Sequence, residues 1–271
     1  WLKLCSSRCA LRNIEPEVEP QPSGRNPLPS IPGRMNQPHE ADSLMGHPLL
    51  KDEPPQVRNG FIRKVYGILS AQLLLTAAIA APLVMNKMLK EWVFTNGHPL
   101  LIAATVLNIV LICAMTCCQQ LMRSFPTNYI MLFAFTATEG FLVGVICSTY
   151  TGNSVLCALA ATGVLVGGLT LYAITTKSDF TDMGAYIFAA LLVLMIFGLF
   201  CMFMTSPIMQ KIYCCLGILV FSFFLIYDTQ MVMGKGELRL GVDDYVFAAL
   251  QLYLDMIQLF LYILQLIGER D

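Results

Sequence analysis

Charged residues are scarce in this chain. Asp, Glu, Lys and Arg make up only 13% of its 271 residues, and the formal net charge is -1. Soluble domains carry about 25% charged residues, so this composition indicates an integral membrane protein. The chain also lacks a basic stripe with interleaved aromatic residues, which argues against a nucleic-acid binder. It lacks the alternating ten-residue segments of a membrane β-barrel, so we predict an all-α membrane protein.

Histidines are also few, and no group of residues is spaced like a metal site. The three histidines, His39, His47 and His98, lie outside the apolar runs and provide no zinc ligands beside the ten cysteines. Buried cysteines behave as small hydrophobic residues, so we predict packing roles and no disulfide framework for the cysteines within apolar runs. These are Cys113, Cys117, Cys118, Cys147, Cys157, Cys201, Cys214 and Cys215. We predict no cofactor.

What the chain does contain is a series of long apolar runs, because 56% of its residues are hydrophobic. A membrane-spanning helix needs about 20 apolar residues, and seven runs are long enough. They are Val65–Met85, Leu100–Cys118, Tyr129–Tyr150, Val155–Thr175, Met183–Met204, Ile208–Met233 and Tyr245–Ile267. We therefore predict a seven-transmembrane-helix bundle over residues 61–271, whose last segment is either a full span or a re-entrant loop. Residues 1–60 are rich in proline and charge, which predicts a disordered tail.

Glycine spacing and basic residues predict how the bundle packs and which way it points. Gly140 and Gly144, like Gly163 and Gly167, are spaced to let helices approach closely in lipid. Lys and Arg favour the cytoplasmic side of short loops. An N-terminus in the cytoplasm gives that side eight basic residues against four on the other. The N-terminus is therefore predicted to be cytoplasmic.

Three carboxylic acids lie within the predicted spans, where ionisable residues are rare and usually functional. Asp228 and Asp255 belong to the sixth and seventh spans, and Glu139 belongs to the third. The two aspartates both fall in the cytoplasmic half of the predicted bundle. A lone carboxylate at this depth must be protonated or paired by another helix, so we predict that the two aspartates face each other.

A polar stripe on the seventh span supports this pairing. Its members recur at steps of three and four residues and so share one helix face; they are Gln251, Asp255, Gln258, Tyr262 and Gln265. Two neighbouring carboxylates cannot easily both ionise, so the pair should share one proton near neutral pH. Acidification would protonate both. A purely structural hydrogen-bonded pair between two helices is the alternative interpretation.

Several motifs resemble the transmembrane Bax inhibitor motif family, in its lifeguard branch. The first is Phe61-Ile62-Arg63-Lys64-Val65-Tyr66 at the start of the first span. The late motifs are Ile226-Tyr227-Asp228-Thr229-Gln230 and the segment 248–260, which includes Gln251, Asp255 and Gln258. The resemblance covers about residues 61–268, with the motifs in the family's order.

The resemblance implies a pH-sensitive calcium leak channel of the endoplasmic reticulum or Golgi membrane that lowers stored calcium and restrains apoptosis. The family's di-aspartate pH sensor corresponds to Asp228 and Asp255, which would also line a transient calcium path. Only Arg123 matches the family's basic latch. We expect Glu139, Arg123, Arg63, Gln251 and Gln258 to support the pair. The implied partners are the lipid bilayer, calcium as the permeant ion, and other calcium channels or cell-death regulatory membrane proteins.

Other classes of seven-helix protein fit the sequence less well. The chain has no acidic-Arg-aromatic triplet ending the third span, as in heptahelical receptors, and the seventh span has no lysine for retinal. Leu252-Tyr253-Leu254-Asp255 lacks the glycines of intramembrane aspartyl proteases. We therefore predict that the protein is not an enzyme. Two alternatives to a channel stay open: a non-conducting regulatory scaffold for other calcium channels or cell-death proteins, and a proton-coupled transporter.

Overall fold

The computed structural model describes residues 54–117, 122, 124–203, 206–235, 241 and 243–270. This part of the chain folds into eight α-helices and one short 3-10 helix, Thr181–Met183. The helices are α1 (Pro55–Met85), α2 (Lys87–Asn96), α3 (His98–Cys117), α4 (Thr127–Cys147), α5 (Gly152–Thr175), α6 (Gly184–Phe203), α7 (Pro207–Val232) and α8 (Tyr245–Ile267). Arg123 and most of the predicted tail, residues 1–53, lie outside the described residues.

The prediction of a seven-span all-α membrane protein is confirmed. Seven helices are long and apolar enough to cross a bilayer, all except α2. Helix α1 starts at Pro55, ten residues before the predicted first span, and α3 starts at His98. Helix α2 was not predicted. It begins where the Asn86 side chain accepts hydrogen bonds from the backbone N–H groups of Met88 and Leu89, an ordinary helix N-cap.

Helix α8 lies at the centre of the bundle. Buried residues make up 78% of its apolar window, whereas the other six spans reach only 17–44%. It packs against α1, α4, α5 and α7, while α3 packs against α4, and α6 packs against α7. The residues of the sixth and seventh spans that resemble family motifs therefore belong to the innermost helix and to its principal neighbour.

Helix α8 crosses the whole bundle, which decides between the two predicted forms of the last segment. Its first residue, Tyr245, packs against Tyr129 near the start of α4, with ring centroids 6.2 Å apart. Beyond its end, Arg270 forms an isolated β-bridge with Tyr150, just past the end of α4. Because α8 extends alongside a complete span from one end to the other, it is itself a full span and not a re-entrant loop.

One of the two predicted glycine contacts is confirmed. A Cβ atom on Gly140 would lie 3.1 Å from the Thr76 Cα, and one on Gly144 would lie 2.9 Å from the Ala80 Cα. Helices α1 and α4 therefore run parallel at close range, because moving four residues along α4, from Gly140 to Gly144, moves the contact four residues in the same direction along α1, from Thr76 to Ala80. The prediction for Gly163 and Gly167 is wrong, since a Cβ atom on either would meet nothing within 4 Å.

The cysteines also depart in part from prediction. The seven cysteines that are described are free, but only Cys147 and Cys214 are buried, and Cys201 is half-buried. Cys118 lies outside the described residues. Four others are exposed: Cys113, Cys117, Cys157 and Cys215. The predicted packing role is therefore wrong for these four cysteines. The physical reason is that a thiol on the outside of the bundle meets lipid tails, which are as apolar as a neighbouring helix. Large exposed apolar residues such as Val164, 78% exposed, also lie on these outer surfaces.

Candidate functional site

Asp228 and Asp255 are among the most deeply buried polar residues of the bundle. Asp228 is 1% exposed and Asp255 is 0% exposed. Both lie on spanning helices, α7 and α8, that pack directly against each other. Carboxyl groups are costly in such surroundings, so their placement needs a compensating role in structure or in function.

The register between α7 and α8 brings the two aspartates to the same level. The rings of Phe221 and Tyr262 pack with centroids 5.8 Å apart, and a Cβ atom on Gly217 would lie 2.7 Å from the Tyr262 ring. The helices are antiparallel here, because Cys214, further back on α7, donates to Gln265, further on along α8. Asp228 lies two helical turns beyond Phe221, and Asp255 lies two turns before Tyr262. Continuing the register therefore sets Asp228 opposite Asp255.

The residues expected to support the pair fall into different environments. Gln251, one turn before Asp255 on α8, is 3% exposed, and Gln258 is half-buried. Arg63 is exposed on α1 and is not part of the buried α7–α8 interface. Its neighbour Lys64 instead contacts α8, with its Nζ 3.3 Å from the centroid of the Tyr245 ring. The contact joins α1 to the start of α8.

Glu139 lies at a separate place, where α3, α4 and α8 meet. Its Oε2 accepts a hydrogen bond of 2.9 Å from Asn108 Nδ2, and the same amide nitrogen donates to Thr138 Oγ1 at 3.2 Å. Tyr253 of α8 packs against Phe135, one turn before Glu139, with ring centroids 6.3 Å apart. Tyr253 is two residues from Asp255, so it points to a different side of α8.

A second set of polar contacts joins α1 to α4 and α8 beside this junction. Gln72 Nε2 donates to Thr136 Oγ1 at 3.1 Å, and the hydroxyl groups of Thr76 and Tyr253 are 2.8 Å apart. Sequence reasoning missed these residues because single polar residues are common in apolar spans. The spacing of Gln72 and Thr76, four residues apart on one helix face, was the available signal.

The end of α7 nearest the aspartates is fastened to the segment between α5 and α6. Gln230, which is 0% exposed, lies two residues after Asp228. Its Nε2 donates to the Ser178 carbonyl at 2.9 Å, and its Oε1 accepts from the Phe180 backbone N–H at 2.8 Å. The amide thus uses both of its ends to hold a loop.

Lys235 completes this attachment at the end of α5. Gly234 has φ 70°, a left-handed conformation that glycine adopts at low cost after a helix. The chain therefore turns back and directs the Lys235 side chain at α5. Its Nζ donates to three backbone carbonyls, those of Ala173, Ile174 and Thr176, at 3.1, 2.9 and 3.1 Å. We refer to Gln230 and Lys235 as the α7 clamp.

The contacts described above restrain α7, α8 and the helices packed against them, and these helices surround the two carboxyl groups. Within the described part of the chain, no group of three or more His, Cys, Asp or Glu side chains could hold a metal ion. Two carboxylates with nearby amide oxygens also fall short of the six to eight oxygen ligands that calcium takes. The described carboxyl and amide groups of this site therefore do not form a closed calcium cage.

Comparisons with known proteins relate most of this chain to one family. The family profile described as "Inhibitor of apoptosis-promoting Bax1" matches residues 58–271, which include all seven spans except the first three residues of α1. Protein lifeguard 3 of Mus musculus is 34% identical over 224 residues, or 80% of this chain and 71% of that protein. Its Homo sapiens counterpart is 36% identical over 224 residues, with shares of 80% and 70%. Protein LIFEGUARD 2 of Arabidopsis thaliana is 35% identical over 244 residues, with shares of 87% and 99%.

Proposed function

The chain belongs to the Bax inhibitor family, whose profile is that of the inhibitors of apoptosis-promoting Bax1, and from this premise we propose that it is a pH-sensitive calcium leak channel gated by Asp228 and Asp255. The family places it among multi-pass membrane proteins that regulate apoptosis. The observation that carries the proposal is the burial of both aspartates, 1% and 0% exposed, on two packed spanning helices.

The gate follows from the electrostatics of a buried carboxyl pair. One shared proton lets the two groups hydrogen-bond and holds α7 against α8. Loss of that proton leaves two like charges at close range in a medium of low dielectric, where repulsion is much stronger than in water. The helices then separate near the aspartates. The leak should therefore rise with pH and fall on acidification.

The same carboxyl groups suit a permeant calcium ion. Conduction requires a site that attracts the ion yet releases it again. A calcium ion that meets two carboxylates and the Gln251 and Gln258 side chains has an incomplete set of ligands. The ion is therefore held briefly and passes on. Once the helices have separated, the negative charge that opened the gate would also attract the cation.

We place the protein in the endoplasmic reticulum or Golgi membrane with its N-terminus in the cytoplasm. The basic residues of the short connections favour this orientation by eight to four. In this orientation the aspartates lie in the cytoplasmic half of the bundle and the end of α8 lies on the opposite side. A leak in this position lowers stored calcium and so restrains apoptosis.

Calcium flux through the purified protein in liposomes tests the proposal. Vesicles loaded with a calcium indicator should fill faster than protein-free vesicles, and faster at higher pH, with equal pH on both sides. Flux that needs a proton gradient would indicate a proton-coupled transporter. A correctly folded protein that gives no flux at any pH would contradict the channel and favour a regulatory scaffold.

A further inference from the structure

Three aromatic rings form a layer at the interface between α7 and α8. They lie nearer to the end of α8 than the two aspartates do. The hydroxyl groups of Tyr213 and Tyr262 are 3.1 Å apart, and their ring centroids are 5.6 Å apart. The Phe221 ring packs against Tyr262, with centroids 5.8 Å apart. We refer to Tyr213, Phe221 and Tyr262 as the aromatic layer.

Glycines on neighbouring helices make room for both tyrosines. A Cβ atom on Gly217 of α7 would lie 2.7 Å from the Tyr262 ring. A Cβ atom on Gly198 of α6 would lie 2.8 Å from the Tyr213 hydroxyl oxygen. Both distances are shorter than Cβ atoms tolerate, so each ring fills space that any other residue at these glycines would need. The layer is therefore fitted closely into α6, α7 and α8.

A cavity with both polar and apolar lining residues opens on one side of the aromatic layer. It has a volume of about 220 Å³ and is lined by residues that include Cys201, Gln210, Tyr213, Cys214, Gln265 and Arg270. Gln210, Gln265 and Arg270 are exposed, so the cavity is open to the surface of the protein near the end of α8. A water molecule takes about 30 Å³ of liquid volume, so several fit. Tyr213 lines this cavity and also belongs to the aromatic layer.

The aspartates lie on the other side of the aromatic layer. Asp228 is two turns beyond Phe221 on α7, and Asp255 is two turns before Tyr262 on α8, or about 10 Å along each helix axis. The buried residues between them are apolar on α7: Phe224 is 4% and Leu225 is 0% exposed. On α8 the half-buried Gln258 lies at the same level, so the order along the interface is cavity, aromatic layer, a turn that is apolar on α7 and carries Gln258 on α8, and aspartate pair.

We propose that the aromatic layer is the barrier that keeps water and hydrated cations in the cavity from reaching the aspartate pair. This inference rests on the proposed function. It gives the proposed channel a second closure, on the other side of the apolar α7 turn from the aspartate gate. Apolar constrictions in channels block ions by excluding water. Movement of the Tyr262 ring away from Gly217, with loss of its bond to Tyr213, would join the cavity to the aspartates. The cavity would then be the entrance for hydrated calcium.

Calcium flux in liposomes provides one test. Tyr262→Ala removes the ring, and Gly217→Ala displaces it. Both should raise the leak severalfold at a pH where the unmodified protein leaks slowly. The pH at half-maximal leak should stay where it was, because both aspartates remain. Tyr262→Phe keeps the ring and loses only the bond to Tyr213, so its leak should rise less.

Matched controls separate these effects from general disturbance of the bundle. Tyr186→Ala removes an α6 tyrosine that is 73% exposed, and Gly163→Ala adds a methyl group where nothing lies within 4 Å. Neither should change the leak. A leak that is equal to the unmodified protein's in both Tyr262→Ala and Gly217→Ala, with both folded, overturns the barrier.

A labelling experiment tests the barrier without requiring conduction. Gln258→Cys places a thiol one turn from Tyr262 on the side of Asp255. In proteoliposomes, an impermeant cationic methanethiosulfonate should leave this thiol unmodified, and adding Tyr262→Ala or Gly217→Ala should expose it, as read by mass spectrometry of the peptide containing residue 258. Exposure without calcium flux would keep the barrier and contradict the channel. Equal labelling with and without both changes would overturn the barrier itself.

Discussion

Replacement of Lys235 by Met should loosen the end of α7 that carries Asp228. The ammonium group of Lys235 donates to three carbonyls at the end of α5, at 3.1, 2.9 and 3.1 Å. Hydrogen bonds that involve a charged group contribute about 1.5–3 kcal/mol, and a cation at a helix C-terminus adds about 0.3–1 kcal/mol. One donor group shares its three bonds, and the side chain is only half-buried. We therefore expect a loss of about 2 kcal/mol rather than the full sum.

The free energy of unfolding in mild detergent, followed by helical circular dichroism during a denaturant titration, measures this loss. Lys235→Arg keeps both charge and donors and should recover most of the stability. Lys211→Met is the matched control, because Lys211 is an exposed lysine on the first turns of the same helix. If Lys235→Met costs no more than Lys211→Met, the clamp does not hold α7 and the reasoning fails.

Three further changes test other parts of the bundle. Gly144→Ala should cost about 1–3 kcal/mol because the new methyl group would crowd α1, whereas Gly163→Ala should be neutral or stabilising by up to about 1 kcal/mol; denaturant titration compares them. Glu139→Leu should cost about 1 kcal/mol more than Glu139→Gln, because the Gln amide oxygen can still accept the hydrogen bond from Asn108 and Leu cannot. The same denaturant titration measures this difference. Asp243→Cys should react with an impermeant maleimide in sealed microsomes whose cytoplasmic face is outward, and labelling of residue 243 only after permeabilisation would invert the orientation.

The number of spans could be predicted because each span must be long and apolar on its own, whatever it packs against. The position of each helix in the bundle could not. Lipid and protein interiors are both apolar, so a hydrophobic residue does not show which of the two it faces, and both α8 at the centre and α3 at the edge are apolar enough to span a bilayer. The stripe of glutamines, tyrosine and aspartate on the seventh span was the useful signal, since residues of this kind seldom face lipid.

The candidate site shows the same division. Asp228 and Asp255 were identified because they lie within long apolar runs of the sequence. The register of α7 and α8 then sets them at the same level. Gln230 and Lys235 were not identified, because their partners are backbone carbonyls and N–H groups that carry no sequence signature. Gly217, which packs against the Tyr262 ring, was missed for a related reason. No second glycine lies three or four residues away from it, so the sequence shows no small-residue pattern there, and only the packed structure shows which ring lies against it.

The pH dependence of calcium leak in aspartate variants tests the central claim most directly. Asp228→Asn, Asp255→Asn and the double variant keep the side-chain shape and a hydrogen bond but remove the shared proton. Measured in liposomes against the unmodified protein, each single change should flatten the pH profile. The double change should add little to either, because one proton serves both residues. If both single variants keep the pH profile of the unmodified protein, the pair is a structural contact and the gate lies elsewhere.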